Sequence, residues 1–403
     1  MKLKRLFRFI LTFISLLITA SSCQISGGLS EVSDSLSKDT SSTMSEVPEE
    51  SKVELPFTPI QRPKLLADSM PALCEPLPSG DFIQPWYCAT WSVSQWEMYL
   101  KVIKRAGFDF VILQGTSDRK DGKYIGFSYP SEMASDSNLS ASNVYVTEMT
   151  VANLLEAAKK NDMQVYLGIG GDNKWWNYAF NDLSWCTKEA ELANRTAEEL
   201  YDLYKKDYPE TFVGWYWTWE MFSAKDKYEV NWSKMISITL DKLTELDHSM
   251  PCIFSPFYSS YEEPDLERVS EQWTYLLKNT AFREGDIFCP QDNIGIHSKD
   301  YGDEAKGAKY SITFMENIVR ALKEATEKNP KVRFWLNVEN FNDGKPASIA
   351  RYADQLDIAS KYAEKLITFS YAHYYSPINV DVSYNKQFLQ YKKWIEQNPQ
   401  TEK

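Results

Sequence analysis

The stretch TFVGWYWTWE, Thr211–Glu220, has the composition of a buried strand: β-branched and aromatic residues, no Pro, and a single Gly at 214 where another group can approach closely. It ends abruptly on a carboxylate. Side chains alternate along a strand, so Gly214, Tyr216, Thr218 and Glu220 share one side, while Val213, Trp215, Trp217 and Trp219 share the other. A second stretch, KVRFWLNVEN at Lys331–Asn340, ends the same way. There Arg333, Trp335, Asn337 and Glu339 line one side, with Phe334, Leu336 and Val338 opposite. Two apolar strands each deliver an acid at the C-terminal end.

Around these stretches, strand-like and helical runs alternate. Asp81–Trp86 reads as the first strand. Val93–Arg105 reads as a helix with Trp96, Leu100 and Ile103 on one stripe and a stop at Gly107, and Phe108–Gln114 as the second strand. A long polar loop is expected from there to about Tyr145. A helix at Val146–Asn161, a third strand at Met163–Ile169, a turn carrying Trp175 and Trp176, and a helix at Leu183–Tyr208 come next. After the fourth strand, helices are expected at Asn231–Leu246, Pro264–Thr280, Glu304–Lys328, Ala347–Lys365 and Ser383–Gln397. Between them lie strands at Pro251–Tyr258, Asp286–Gln291 and Leu366–Tyr374, with the seventh, in the stretch quoted above, ending at Glu339. Eight strands and eight helices in strict alternation predict a single-domain α/β fold, the (β/α)8 barrel. A doubly wound sheet also alternates, but no Gly-rich phosphate turn follows the first strand.

In such barrels the chemistry sits at the C-terminal strand ends. Strands one to three supply Gln84 and Trp86 with Trp91 just beyond, then Gln114, then Asp172, Asn173, Trp175 and Trp176. Strands four to six supply Trp217 and Glu220, Tyr258, then Gln291, Asp292 and Asn293. Strands seven and eight supply Asn337, Glu339 and Asn340, then Tyr371, His373 and Tyr374. Sugars offer apolar ring faces and equatorial hydroxyls; aromatic rings stack on the faces, and amides and carboxylates bond the hydroxyls. Thirteen Trp and 14% aromatic residues exceed what a barrel core alone requires. Trp175, Trp176 and Trp91, in loops at strand ends, are expected to form a ligand platform; Trp215, Trp335 and Trp96 are expected in packing. Two carboxylates across a sugar cleft can break a glycosidic bond, one protonated to assist the leaving oxygen and one ionised to attack carbon or activate water. Glu220 and Glu339 are the candidate pair, with Asp292 and then Asp172 as competitors.

Of 403 residues, about 320 are expected in the barrel. Met1–Ser22 begins with Lys2, Lys4, Arg5 and Arg8, runs apolar over Phe9–Thr19 and ends in small residues before Cys23, a secretory leader with the spacing of a bacterial lipobox. Cys23 is the expected acyl acceptor, which places the protein outside the cytoplasm, held by lipid to the bacterial envelope. Residues 23–54 are Ser- and acid-rich and are expected to be a flexible tether, 55–79 an ordered lead-in, and 80–403 the barrel. The formal charge of −12 disfavours nucleic acid and anionic membrane surfaces as partners. The five other cysteines show no metal-type spacing, and Cys252 and Cys289 read as small buried hydrophobes. Three scattered His argue against a His-built metal site, and no cofactor is expected. No G-x-S-x-G elbow is present, and Gly168–Gly171 is too short for a dinucleotide turn.

A resemblance adds to this. Gln84-Pro85-Trp86, Trp96, Ala106-Gly107-Phe108 to Gln114, Gly214-Trp215-Tyr216 to Glu220 and Asn337-Val338-Glu339-Asn340-Phe341 resemble a family of lipoproteins catalogued as a domain of unknown function, grouped with glycosidase-type barrels. The resemblance runs from about Gly80 to the end. The order of acids is also similar to that of the large clan of retaining (β/α)8 glycosidases, whose acid/base Glu follows strand four and nucleophile Glu strand seven. That resemblance implies Glu220 as acid/base and Glu339 as nucleophile. The clan's Asn before the strand-four acid is Trp219 here, and in place of its strand-six Tyr stand Gln291 and Asp292. Contact with a sugar 2-hydroxyl then falls to Asn337 or Asn340. A carbohydrate partner is expected, bound either for hydrolysis or, on the same barrel, without turnover.

Overall fold

The computed structural model describes residues 73–257, 265–297, 312–342, 344–377 and 384–397. The expected leader with Cys23, the tether, most of the lead-in and Tyr258 lie outside the described residues. Eight parallel strands close a barrel: β1 (Gly80–Ile83), β2 (Phe110–Leu113), β3 (Gln164–Gly168), β4 (Phe212–Trp217), β5 (Cys252–Phe254), β6 (Ile287–Phe288), β7 (Arg333–Glu339) and β8 (Lys365–Phe369). β1 pairs with both β2 and β8, completing the ring. The helices that follow the strands are α1 (Val93–Arg105), α2 (Thr150–Lys160), α3 (Leu183–Tyr204), α4 (Glu229–Asp247), α5 (Leu266–Asn279), α6 (Ile312–Thr326), α7 (Ile349–Ala359) and α8 (Asn385–Gln397).

Local sequence explains the boundaries. α1 starts at a capping box, in which Ser92 and Gln95 each bond the other's backbone, and buries Trp96, Leu100 and Ile103. Asp182 and Asp265 cap α3 and α5 by accepting from their first-turn N–H groups. The strands are shorter than expected. β1 stops at Ile83 because Pro85 opens a helical turn, Pro85–Cys88, and β8 stops at Phe369, after which Tyr371–Tyr374 is helical.

The interior divides in two. Phe82, Phe110, Tyr166, Tyr216, Ile253 and Trp335 meet inside the ring, with further lumen residues, while Trp217, Val338 and Phe254 belong to the shell between strands and helices. Gly214 answers to this crowding: a Cβ there would strike the Tyr166 ring and stand 2.7 Å from the Pro251 carbonyl. Arg333 and Lys365 lie over the Trp335 ring at the lower end, so bulky groups plug the ring below the strand ends.

The expected long polar loop is corrected. Ser117–Lys120, Lys123–Phe127 and Ser140–Val146 form a three-stranded sheet. The first of these, SDRK, buries Ser117 and Arg119 and exposes Asp118 and Lys120, a strand alternation carried by polar residues. Arg119 donates to both oxygens of buried Glu189 on α3. Tyr129 and Ser131 both donate to Glu199, at 2.8 and 2.6 Å. Polar contacts therefore dock this sheet onto α3. Replacing Arg119 by Leu leaves Glu189 buried without its partner, and denaturant unfolding of Arg119→Leu is expected to show a loss of about 3–5 kcal/mol.

Candidate active site

The site is built on the lumen-facing side of the strand ends. On β4 the alternation that turns Tyr216 inward continues to Thr218 and Glu220. Glu220 is half-buried. Its carbonyl accepts from Trp175 Nε1 at 3.0 Å, which pins the backbone just past the strand. Its carboxyl receives the Gln291 side-chain amide. Gln291 is held in turn by donating to Ser255 O at 3.1 Å, and it forms a bridge to Asn337 on β7. Burial pushes the Glu220 carboxyl up to about 7, against the Gln291 hydrogen bond, which favours the ionised form.

Glu339 is the last residue of β7, in register with Phe369 of β8. It is 1% exposed, and its Oε2 accepts from the Gly295 N–H at 2.6 Å. A Cβ on Gly295 would stand 2.8 Å from that oxygen and 2.8 Å from the Phe341 carbonyl, so only glycine lets the backbone come this close. Tyr374 stacks on Phe341, with centroids 5.3 Å apart. Burial, and then the neighbouring Tyr384 and Glu339, push the Tyr374 phenol up. Two residues before Glu339 on the same side, Asn337 donates to Ser255 Oγ at 3.2 Å, and its Oδ1 is buried without a protein partner. Both amide atoms of fully buried Asn340 are likewise unpartnered, the kind of group that takes a water or ligand.

Of the ring-bearing candidates, Trp86 is 44% exposed and donates to Gln84 Oε1 at 3.0 Å. Half-buried His373 lies 5.4 Å from the Trp86 ring centroid and 5.2 Å from that of Tyr87. Burial holds His373 down to about 4, so its imidazole is neutral. Gln114 is half-buried at the end of β2. Trp176 is half-buried and stacked on Phe257, while Trp91 packs edge-on against Trp96.

Other candidates are corrected. Asp292 does not face the lumen: it is fully buried, with Oδ2 taking Gln355 Nε2 at 2.6 Å and Oδ1 taking the N–H groups of Ile294 and Glu339. Asp172 caps its own turn, accepting from Lys174 N at 2.8 Å and from Gly122 N at 2.7 Å, with the Arg119 guanidinium 3.9 Å away. Trp175 is 2% exposed and stacks on Trp232 inside the shell, so it is not a platform. Trp217 points away from Glu220 into the shell against Trp219 and Phe254. Tyr371 is turned down onto Phe108 and Tyr391. Sequence reasoning missed Ser255, Gly295, Arg351 and Gln355. Ser255 had a signal, since it continues the inward side of Ile253; the other three lie in helices or a turn and announce nothing.

Among the described residues no cluster of His, Cys, Asp and Glu could hold a metal ion. Eight parallel strands closed into a ring, with a helix after each and polar groups gathered at the strand ends, define a (β/α)8 barrel. The chain belongs to the family described as Domain of unknown function (DUF4434), whose model matches residues 79–381. Among solved structures it is similar to a Bacteroides thetaiotaomicron VPI-5482 protein named provisionally as an alpha-L-fucosidase, at 19% identity and a TM-score of 0.62, over 84% of this chain and 98% of that one. It is also similar to an endo-beta-1,4-mannanase from Thermotoga petrophila, at 14% identity and a TM-score of 0.50, over 81% and 78% of the two chains. At these identities the likeness is one of fold. No curated protein matches the chain in sequence.

The Glu220 environment makes a prediction. Carbon-13 NMR of its carboxyl should give a midpoint about 7. Gln291→Leu removes a donor that favours the charged form, so the midpoint should move further up. A midpoint in the ordinary glutamate range, or a downward move, would contradict the described surroundings.

Proposed function

We propose that the barrel is a glycoside hydrolase acting on a poly- or oligosaccharide through a retaining two-carboxylate mechanism. The observation that carries the reading is that Glu220 and Glu339 stand on the lumen-facing side of strands four and seven in contrasting surroundings. Glu220 is kept protonated towards neutral pH, as a leaving-group acid requires. Glu339 takes a backbone N–H on Oε2, a contact that suits a negative oxygen. In the first step Glu220 gives its proton to the glycosidic oxygen while Glu339 bonds to the anomeric carbon and the bond to the leaving group breaks. In the second, Glu220 takes a proton from water, which displaces Glu339. Asn337 Oδ1 is placed to accept from a sugar hydroxyl, and Trp86 with His373 offers a ring face. The names of both structural neighbours are those of glycosidases, which supports the class and, since they differ, leaves the sugar open. The leader and Cys23 support export and a lipid anchor, so the only membrane partner in this reading is an acyl chain at the N-terminus.

One observation favours a second reading, a glycan-binding protein without turnover: Glu339 is almost sealed from solvent. The two readings separate on the same experiment. Under the hydrolase reading, Glu220→Gln lowers turnover of a responsive glycan about 100- to 10,000-fold, and Glu339→Gln abolishes covalent intermediate formation. The protonated fraction of Glu220 falls as pH rises through about 7, so the wild-type rate should decline above that pH. Glycan affinity without turnover, unchanged in both Glu→Gln variants, would instead establish the binding protein.

A further inference from the structure

We infer that Asp292, Gln355 and Arg351 form a clamp behind the acid pair, with Asp292 a positioning residue for Glu339. The inference rests on the reading of Glu339 as nucleophile. The Glu339 Oε2–Gly295 N contact is made between two chain segments, the end of β7 and the turn after β6. The peptides beside that contact are held by the same three side chains. Asp292 Oδ1 accepts from Glu339 N at 3.3 Å and from Ile294 N at 3.2 Å, so one oxygen fixes the spacing of the two segments. Gln355 Nε2 donates to Asp292 Oδ2 at 2.6 Å and to Glu339 O at 3.2 Å. Arg351 donates to Ile294 O at 3.4 Å, to Glu339 O at 3.3 Å and to Phe341 O at 2.5 Å. The N–H and C=O of Glu339 and of Ile294 are thus both taken up by groups anchored on α7 or at the end of β6.

This arrangement addresses geometry rather than fold closure. The register of Glu339 with Phe369 belongs to the β7–β8 ladder, of which these three side chains are not part. What the clamp adds is the position of the carboxylate relative to its Gly295 donor. All three side chains are buried, at 2% exposure or less, so solvent does not compete for these bonds. In Asp292→Asn the volume is kept, but the amide nitrogen cannot accept, so either the Gln355 amide or both the Ile294 and Glu339 N–H groups lose their acceptor.

The test uses Asp292→Asn and Gln355→Leu in the mature chain. Both should lower kcat at least about tenfold, as displacement of a reacting group does, with KM within about threefold. The discriminating arm puts Asp292→Asn into a Glu339→Gly background supplied with azide. Azide bonds to the anomeric carbon of an aryl glycoside as the aryl oxygen leaves with the Glu220 proton, so Glu339 takes no part. Asp292→Asn should leave that rescued rate within about twofold, since a positioning residue has nothing left to position. Independently of turnover, amide exchange should speed up in peptides covering 293–297 and 338–341 and stay constant in β1 and β2. An unaltered kcat, a rescued rate that falls as far as the unrescued one, or unchanged exchange at 293–297 and 338–341 would overturn the clamp. Failure of the underlying reading looks different: turnover would survive Glu339→Gln, or no glycan would be cleaved. The exchange result would then decide the clamp alone.

Discussion

A strand in a closed barrel has two sides, and every group in this site depends on which side it falls. The inward side is filled with rings up to the level of Tyr216 and Trp335, and Gly214 removes the one Cβ that would strike Tyr166. Above that plug the same side carries Gln114, Thr218, Ser255, Gln291 and Asn337, and then the two glutamates. The plug excludes water from below, so the amides and acids stand on an apolar floor, where an electrostatic contact counts for more than in bulk solvent. The outward side, one residue away, carries Trp217 and Asp292 into the shell.

The two glutamates differ because their supports differ. Glu220 stands beyond the end of β4, its backbone tied by one indole and its carboxyl met by one side-chain amide. That single neutral donor does not offset desolvation, and the proton is retained to about 7. Glu339 is still within β7, with both backbone groups bonded from behind and a main-chain donor on Oε2. A group that gives and takes a proton suits the first kind of support, and a group that must stand in one place suits the second.

The alternation of strands and helices could be read from residues alone because a two-residue period and a helical stripe are local signals. α1 is the clearest case, its cap and its buried stripe both being local. The inserted sheet was not legible, because SDRK buries an arginine whose partner, Glu189, lies 70 residues away. Trp175 looked like a loop-borne platform, yet its indole serves the Glu220 carbonyl and its ring packs on Trp232 of α4, contacts with residues 45 or more positions away that exist only in the folded barrel. The inward placement of Gln291 and the outward placement of Asp292 and Trp217 were legible: each follows from counting in twos from Ile287 or Tyr216, and reading strand ends as a set rather than by side obscured it. The tryptophan count mostly reflects shell packing, and Trp86 differs from Trp175 by exposure, which composition does not report.

The segment that bonds Glu339 Oε2 also lies against its carboxylate. Gly295 lies against the carboxylate and supplies the N–H on Oε2 at 2.6 Å. A displacement of the turn alone would withdraw that donor, whereas a joint motion of the turn and the strand end would keep it in place. Asp292 Oδ1 bonds both segments, so it resists the first kind of motion and tolerates the second. A substrate reaching Glu339 over Asn337 and past the Phe341–Tyr374 stack would meet a carboxylate whose donor is still in place. The contact then acts as preorganisation, since the N–H on Oε2 is in place before the reaction begins.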